Sequence, residues 1–527
     1  MFFSRKKRIF EQLESSFGKV KTEGFNFDLI KRYFINKDNT NVNQVLSDQT
    51  CEDLDFDLFF CYVDRTSSRI GQQYLYSELR TTDHSQNKSQ VREQAIQYFI
   101  QHPKERLKVQ HQLNKLNHQQ AYFCTDLFLQ EPDKKPKSYF LIPILSICAV
   151  VSLILTFINP IFGFIFIGIF AINLLFHYGL KRRTTLFINS VPTLLSLGVV
   201  IKSLYNYDVL RDIDPKLHSS LATISTIRRK MLFFKLEQKV DSDMEAAYWF
   251  LLELIKIVFL LEPLLLFSSL EVFRNKTKDI EHAYRFVGEV DLIISIASLR
   301  NGLDHYCIPE ISNQNCTVYF EDLLHPLVPN CVPNTVNSKR SILLTGSNMS
   351  GKTTFIRAIG LNLISGITLN TCYASSAKIP ISKLFSVIRI EDDLTSSSSY
   401  FFQEVNELKN IIEQTKKETS SIILLDELFK GTNTVERIAA AKATLSYLAR
   451  HNCQIFVSTH DIELTNMLNE EFDLFHFSET VEGTTIDFDY KMKSGIPQSR
   501  NAIRILELSD FPETIITEAK SLVTKIE

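Results

Sequence analysis

One short stretch of this sequence has the residue types and the spacing that are needed to hold a phosphate chain. It reads Gly346-x-x-x-x-Gly351-Lys352-Thr353, and it follows the apolar run 342–344. Two glycines let a loop curl so that its backbone N–H groups face an anion. A lysine then reaches the β- and γ-phosphates, and a threonine hydroxyl ligates Mg²⁺. The pattern therefore predicts a phosphate-binding loop between a buried strand and a helix.

Further polar residues follow two apolar runs downstream, where a parallel sheet would bring them to one edge. Asp426 and Glu427 end the run 421–425, and His460 ends the run 454–459. Taken alone, an Asp-Glu pair after a strand is often a helix cap, and a single histidine is usually structural. Behind a phosphate-binding loop, however, the three residues supply what γ-phosphate hydrolysis needs. Asp426 would hold Mg²⁺ with Thr353, Glu427 would polarise the attacking water, and His460 would donate to the γ-phosphate or to that water.

The sequence therefore predicts an ATP hydrolase that uses ATP and Mg²⁺. The residues expected to bind ATP are Gly346, Ser347, Asn348, Met349, Ser350, Gly351, Lys352, Thr353 and Thr354.

Composition argues against several other classes of protein. The chain has 527 residues, of which 22% are charged and 45% hydrophobic, as is typical of folded domains. This length predicts about three domains. The net charge of −2 gives no general attraction to nucleic acid. The nine cysteines include no Cys-x-x-Cys pair, so neither a disulfide framework nor a zinc site is expected. The amino terminus lacks the apolar run of a secretory signal.

Residues 138–180 contain no Asp, Glu, Lys or Arg and are flanked by basic residues. Two apolar runs, each close to the ~20 residues that cross a bilayer, meet at the turn signal Asn159-Pro160. Because positive charge stays on the cytoplasmic side, we expect a transmembrane hairpin in an inner or plasma membrane, with the ATPase domain in the cytoplasm and lipid as a partner. The alternatives left open are a buried core hairpin, and further membrane entry by the weaker runs 186–201 and 246–270.

Several motifs resemble those of the MutS family of mismatch-repair ATPases. The loop at 345–354, with Asn348-Met349 inside it, resembles the family's phosphate-binding loop, and 426–432 resembles its Asp-Glu-x-x-x-Gly-Thr segment. Ser399 matches a serine that, in this family, helps to complete the ATP site of the partner subunit. The resemblance therefore implies a homodimer with composite ATP sites. Similar elements lie at 325–327, 332–334, 399–405, 458–460 and 490–495, and the segments 64–71 and 290–297 resemble the two ends of the family's helical lever domain.

The chain also departs from the family's pattern. Ser347 and Ser350 stand where the family usually has Pro and Gly, Phe429 replaces a usual Gly, and Asp461 replaces an aromatic residue. None of these changes removes a predicted phosphate or metal ligand, so ATP binding is expected to survive while the rate of hydrolysis is left open. No mismatch-reading domain with a Phe-x-Glu motif is expected before residue 54. The apolar insertion stands where the family carries a DNA clamp.

These observations predict a fold class: an α/β P-loop ATPase domain of the ABC type with a parallel-sheet core, preceded by an all-α lever domain that a transmembrane helical hairpin interrupts. The expected segments are an amino-terminal helical segment (1–53), two lever parts (54–137 and 181–305), the hairpin (138–180), the ATPase domain (306–515) and a terminal helix end (516–527).

The leading functional hypothesis is a membrane-anchored, MutS-related ATPase whose dimer closes on nucleotide and moves its helical levers. A second hypothesis is a tethered DNA-binding protein of mismatch repair or recombination. Its DNA binding is expected to be weak and without mismatch preference, because the insertion is apolar where a clamp would be basic. A third is an ATP-binding cassette transporter, which two spans and the lack of a Leu-Ser-Gly-Gly-Gln signature disfavour.

Overall fold

The computed structural model divides the chain into two compact units, each assembled from several separate segments. Unit 1 comprises residues 1–38, 64–77 and 90–301, and unit 2 comprises 39–63, 78–89 and 302–527. All strands of the described residues lie in unit 2, whereas the described part of unit 1 is helical. The structure describes residues 2–83, 85–129, 137–231, 253–261, 264, 276–312, 316–389, 400–416, 420–482, 485–497, 506–507 and 511–526.

The regular elements of these residues are numbered here in chain order. The α-helices are α1 (Phe2–Ser16), α2 (Phe27–Ile30), α3 (Arg32–Asn36), α4 (Asp48–Asp53), α5 (Phe56–Val63), α6 (Arg69–Arg80), α7 (Gln86–Gln101), α8 (Pro103–Leu113), α9 (Asp126–Leu129), α10 (Leu141–Leu155), α11 (Ile161–Leu204), α12 (Asp208–Arg211), α13 (Leu217–Met231), α14 (Thr277–Asn301), α15 (Lys352–Leu369), α16 (Tyr400–Thr415), α17 (Thr434–Ala449), α18 (Glu463–Leu468) and α19 (Glu513–Ile526). Short 3-10 helices lie at Asn114–Leu116, Gln119–Thr125, Lys137–Phe140 and Asn348–Ser350. The strands are β1 (Gln44–Val45), β2 (Thr81–Thr82), β3 (Glu310–Ser312), β4 (Tyr319–Leu323), β5 (Asn334–Asn337), β6 (Ser341–Thr345), β7 (Ser376–Pro380), β8 (Lys383–Val387), β9 (Ser421–Asp426), β10 (Cys453–Ser458), β11 (Phe472–His476), β12 (Glu479–Glu482), β13 (Thr485–Phe488) and β14 (Lys493–Ser494).

Helix α14 forms the centre of unit 1, because every residue from Phe286 to Arg300 is buried. Its Asp291 accepts hydrogen bonds from the backbone N–H groups of Ser67 and Ser68, both at 2.8 Å. Gly71 lies so close to this carboxylate that a Cβ would stand 2.1 Å from Asp291 Oδ2, so a larger residue does not fit there. The segments 64–71 and 290–297 therefore pack against each other, although they are more than 200 residues apart in the chain.

The apolar region 138–180 forms helix α10 and the beginning of helix α11. Helix α10 has 15 residues, which span about 22 Å at 1.5 Å per residue, whereas the apolar core of a bilayer is about 30 Å thick. Helix α11 has 44 residues and runs on through the basic residues 181–183 that were expected to follow the second span. Within the described ranges, no helix combines the length and the apolar character needed to cross a membrane. The predictions of a transmembrane hairpin and of a membrane location are therefore wrong, and the lipid contact inferred from them loses its basis.

Polar side chains of α10 and α11 instead bind the segment 253–261 within unit 1. Ser146 donates to the carbonyl oxygen of Phe259 at 2.9 Å, and Asn173 donates to that of Val258 at 3.0 Å. Several large apolar side chains of the two helices stay exposed, among them Phe157 and Phe164, so only part of the apolar surface is buried within this chain. Of the weaker runs, 186–201 is part of α11, and most of 246–270 lies outside the described residues.

Unit 2 is built on a six-stranded sheet with the strand order β14-β11-β6-β10-β9-β8. All neighbours in this order pair in parallel except β14, which is antiparallel to β11 at one edge. Side chains of a strand alternate between the two faces of its sheet. Ile423 and Leu425 of β9 join a core with α16, α17 and α18, whereas Leu424 lies against Gly360 of α15. Helices therefore cover both faces, as is usual for parallel sheets.

A smaller four-stranded sheet of unit 2 has the order β3-β7-β4-β5, and β1 with β2 and β12 with β13 form two-stranded pairs.

The early segment 39–63 is bound to strand β8 of the six-stranded sheet by hydrogen bonds. Asp53 accepts hydrogen bonds from the hydroxyl of Ser386 at 2.6 Å and from the backbone N–H groups of Ile388 and Arg389 at 3.1 and 2.7 Å. These bonds close the carboxyl end of β8, so the sheet depends on a segment from the beginning of the chain.

Candidate active site

The predicted phosphate-binding loop connects strand β6 to helix α15. Gly346 and Gly351 have φ angles of +136° and +102°, a region that glycine adopts without steric cost. A Cβ at Gly346 would also stand 2.4 Å from the carbonyl oxygen of Phe477. Helix α15 begins directly after Gly351, and its first turn adds unpaired N–H groups and a partial positive charge. The loop therefore has the backbone of an anion-binding site.

Polar contacts inside the loop involve its lysine and its two serines. Lys352 is buried, and its Nζ donates to the carbonyl oxygens of Gly346 at 2.6 Å and Ser347 at 2.9 Å. Ser350 donates to the carbonyl oxygen of Ser347 at 2.7 Å, and Ser347 donates to Glu479 of β12 at 3.0 Å. Burial lowers the pKa of Lys352 to about 8, although nearby carboxylates oppose this shift. The ammonium group thus lies within the loop, at a position where phosphate oxygens would compete with the carbonyls.

A hydroxyl and a carboxylate meet where Mg²⁺ is expected. Thr353 Oγ1 donates to Asp426 Oδ2 at 2.7 Å, and the hydroxyl of Ser458 donates to Asp426 Oδ1. Such oxygens suit Mg²⁺, which usually completes its shell with water and substrate phosphates. In the part of the chain that the structure describes, no group of three His, Cys, Asp or Glu residues could hold a metal. The hydroxyl of Thr353 and the carboxylate of Asp426 are the oxygen donors that Mg²⁺ bound together with a nucleotide would use.

Glu427 is oriented by two basic side chains. Its Oε1 lies 2.8 Å from Nε2 of His460, and its Oε2 lies 3.0 Å from Nζ of Lys430. Burial alone would raise the pKa of Glu427, but the hydrogen bonds from His460 and Lys430, together with their charges, outweigh it and lower this pKa to about 2. The carboxylate is therefore ionised at neutral pH, which is the form that accepts a proton from water.

The turn that carries Glu427 has a strained backbone. Glu427 and Phe429 have φ angles of +51° and +61°, which cost about 1–2 kcal/mol for a residue with a Cβ. Phe429 stands where the MutS pattern usually has glycine, and its φ angle gives the physical reason for that glycine. Its ring is buried and lies 6.1 Å from the ring of Phe401, between centroids, so packing offsets part of the strain.

A cavity of about 380 Å³ opens beside the loop, within the range of small-ligand sites. Gly351, Thr354 and Ala358 form its wall on the loop and α15, and His325 and Tyr490 lie on other sides. Burial lowers the pKa of His325 to about 4, and the charge of Arg357 adds to this effect, so the imidazole is neutral at pH 7. The cavity is large enough for a planar heteroaromatic ring.

The structure brings the loop, Asp426, Glu427 and His460 to one edge of the parallel sheet. The side chain of Met349 is exposed, and Ser399 lies outside the described residues. Sequence reasoning did not assign roles to the neighbours Ser458, Lys430 and Glu479. Ser458 had one signal, its position at the end of an apolar run, whereas Glu479 reaches the loop only through the tertiary fold. Of the cavity residues, Gly351 and Thr354 were already predicted to bind ATP, and His325 and Tyr490 lie in segments that resemble the MutS family, whereas Ala358 had no signal.

The parallel sheet, the glycine-containing loop and the acidic residues at the end of β9 define the class of unit 2: an α/β nucleotide-binding domain with a phosphate-binding loop. Residues 342–527 match the family model of MutS domain V. The chain is 32% identical over 282 residues to the DNA mismatch repair protein MutS of Bacillus licheniformis, covering 50% of this chain and 31% of that protein. It is 34% identical over 238 residues to the protein of the same name from Bacillus pumilus, covering 42% and 27%.

These matches confirm the resemblance to the MutS family that was inferred from the motifs. The match spans about a third of the length of these relatives.

We predict that filling the cavity beside the loop weakens nucleotide binding without affecting phosphate binding. Ala358→Leu should raise the Kd for ATP by about tenfold, or roughly 1.4 kcal/mol, because the added carbons occupy space that a base would take. The affinity for inorganic triphosphate should stay unchanged, since the loop is untouched. Isothermal titration calorimetry measures both ligands. Ala439→Leu, on an exposed position of α17, is the matched control, and an equal loss for both ligands would contradict the assignment.

Proposed function

We propose that unit 2 binds ATP with Mg²⁺ and hydrolyses it, at a site that two copies of the chain complete together, and that this cycle moves the helical levers predicted at 54–137 and 181–305. One observation carries the proposal. The hydrogen bond between Thr353 and Asp426 joins the phosphate-binding loop to the acidic end of β9, and the adjacent Glu427 is already paired with His460. The residues proposed as metal ligands and as the water-activating group thus lie side by side, next to the proposed phosphate site.

In this proposal each side chain has a defined task. The loop from Gly346 to Thr354 binds the phosphates, and Lys352 exchanges its carbonyl partners for β- and γ-phosphate oxygens. Thr353 and Asp426 would hold Mg²⁺, which when bound would neutralise phosphate charge. Glu427 accepts a hydrogen bond from the attacking water and takes its proton. His460 orients Glu427 and donates to the γ-phosphate or to the water.

Exposed apolar side chains support the proposed dimer. Met349 on the loop is 74% exposed, Val435 at the start of α17 is 78% exposed, and Phe402 near the start of α16 is 57% exposed. Burying these side chains against a second copy of the chain would remove their apolar surface from water. Ser399 immediately precedes α16 in the chain. A second copy that covers this surface would bring its own Ser399 towards the γ-phosphate.

We predict that two substitutions separate nucleotide binding from hydrolysis. Lys352→Ala should abolish tight ATP binding, because the loop loses its only lysine and the charge that faces the phosphates. Glu427→Gln should leave the Kd for ATP unchanged while kcat falls by about 10²–10⁴, as is usual when a general base is removed. Equilibrium binding of a fluorescent ATP analogue and phosphate release measure the two effects. Full hydrolysis by Glu427→Gln would contradict the assigned base.

We predict that mixed dimers regain activity if the site is composite. Lys352→Ala and Ser399→Ala chains should each be nearly inactive alone. In a mixed dimer, one site would combine the intact loop of the Ser399→Ala chain with the intact Ser399 of the Lys352→Ala chain. Phosphate release by an equimolar mixture should therefore exceed that of either variant. A monomeric wild-type protein with full activity would rule out the composite site.

A second candidate function is DNA binding in mismatch repair, which is favoured by the names of the relatives. We predict at most weak, salt-sensitive DNA binding without mismatch preference, because the chain has a net charge of −2 and an apolar insertion at 138–180. Fluorescence anisotropy with matched and mismatched duplexes at about 150 mM salt, with and without ATP, tests this. A mismatch preference above about tenfold, roughly 1.4 kcal/mol, would favour the second candidate.

A further inference from the structure

The strained turn after β9 is fastened to helix α16 by a buried carboxylate. Glu404 of α16 is 2% exposed, and its Oε1 accepts a hydrogen bond from the backbone N–H of Phe429. Phe429 is one of the two residues of this turn with a positive φ angle, and Glu427 is the other. The backbone N–H of Glu427 donates to the carbonyl oxygen of Ser458 at 3.0 Å. The turn is therefore held from β10 on one side and from α16 on the other.

Glu404 is placed to accept one hydrogen bond, but its surroundings do not stabilise a negative charge on both oxygens. Its second oxygen, Oε2, is buried and has no hydrogen-bond partner within the described residues. Burial raises the pKa of Glu404, although the bond from Phe429 and the charge of Lys430 oppose this shift. A buried carboxylate with one unsatisfied oxygen is unfavourable for folding, so stability alone does not explain why a glutamate occupies this position. The bond to Phe429 supplies one.

We propose that Glu404 is a positioning residue for ATP hydrolysis: by holding the N–H of Phe429, it fixes the turn that aims Glu427 at His460. Phe429 has no tendency to keep a positive φ angle on its own, and Glu427 is two residues away in the same turn. Loss of the anchor lets Phe429 relax towards negative φ, and Glu427 then leaves the position in which His460 and Lys430 hold it. The inference rests on the proposed hydrolysis of ATP by unit 2.

The test compares two substitutions of Glu404 that differ in hydrogen bonding. Glu404→Gln keeps a carbonyl oxygen that accepts from Phe429, and its kcat should stay within about threefold of the wild type. Glu404→Ala removes the acceptor, and its kcat should fall by about tenfold or more. The KM for ATP should be unchanged in both, because the phosphate-binding loop is untouched. Glu413→Ala, at an exposed position of the same helix, is the matched control and should behave as the wild type.

A second background tests whether Glu404 acts through the turn. Phe429→Gly lets the residue adopt a positive φ angle without strain, so the turn should depend less on its anchor. Glu404→Ala should therefore reduce kcat by a smaller factor in the Phe429→Gly background than in the wild type. An equal reduction in both backgrounds, a reduced kcat for Glu404→Gln that matches that of Glu404→Ala, or a loss that appears in KM alone would overturn the proposal.

Hydrogen–deuterium exchange provides a readout that does not need activity. A peptide covering residues 427–432 should exchange faster in Glu404→Ala than in the wild type and Glu404→Gln, while peptides of β6 and β10 stay protected. Unchanged exchange in this peptide would overturn the positioning role even if kcat fell. If the wild type showed no ATP turnover, the proposed function would fail, and the exchange experiment would still decide whether Glu404 holds the turn.

Discussion

The parallel pairing of β6, β10 and β9 is the constraint on which the candidate site depends. In this register Ser458 of β10 lies opposite Asp426 of β9 on one side. On its other side it lies opposite Leu344, the residue before the end of β6. The loop, Asp426 and Glu427 are therefore brought together by backbone hydrogen bonds and not by long side chains. A slip of one residue would turn every side chain of a strand to the other face of the sheet. The apolar residues that fill both faces therefore fix the geometry of the site.

The site itself departs from what would be best for stability. A lysine is buried among carbonyl oxygens, a glutamate and a phenylalanine have positive φ angles, and a second glutamate is buried with one unsatisfied oxygen. Each feature is unfavourable alone, and each lies in the phosphate-binding loop, in the turn after β9 or, for Glu404, on the helix α16 that is bonded to this turn. The buried apolar residues of the strands and the rings of Phe401 and Phe429 offset these costs. Strain at such places is common where a structure prepares groups for a ligand.

A feature of the site could be predicted from the sequence when the residues that form it are close together in the chain. The loop, the strand before it and the acidic end of β9 could be predicted, because glycine spacing and short apolar runs determine them within a few residues. Ser458, Glu404 and Asp53 could not be assigned roles, since their partners lie 25 to 336 residues away in the chain. The region 138–180 misled because an apolar composition does not specify where a helix ends. Helix α10 has only 15 residues, and helix α11 continues past the apolar region through the basic residues 181–183.

The discontinuity of unit 2 has a consequence for the order in which the protein is made. Its segment 39–63 leaves the ribosome about 240 residues before the segment that starts at 302. At roughly 5–20 residues per second, this is a delay of roughly 10 to 50 s. During that time Asp53 cannot accept its hydrogen bonds from β8, because this strand has not been made. Leu54 likewise has no helix α15 to pack against. Nascent chains in this interval therefore expose Phe59 and Phe60, which are fully buried in the finished unit. A chaperone that binds short apolar segments would therefore meet the segment 39–63 long before the rest of unit 2 exists.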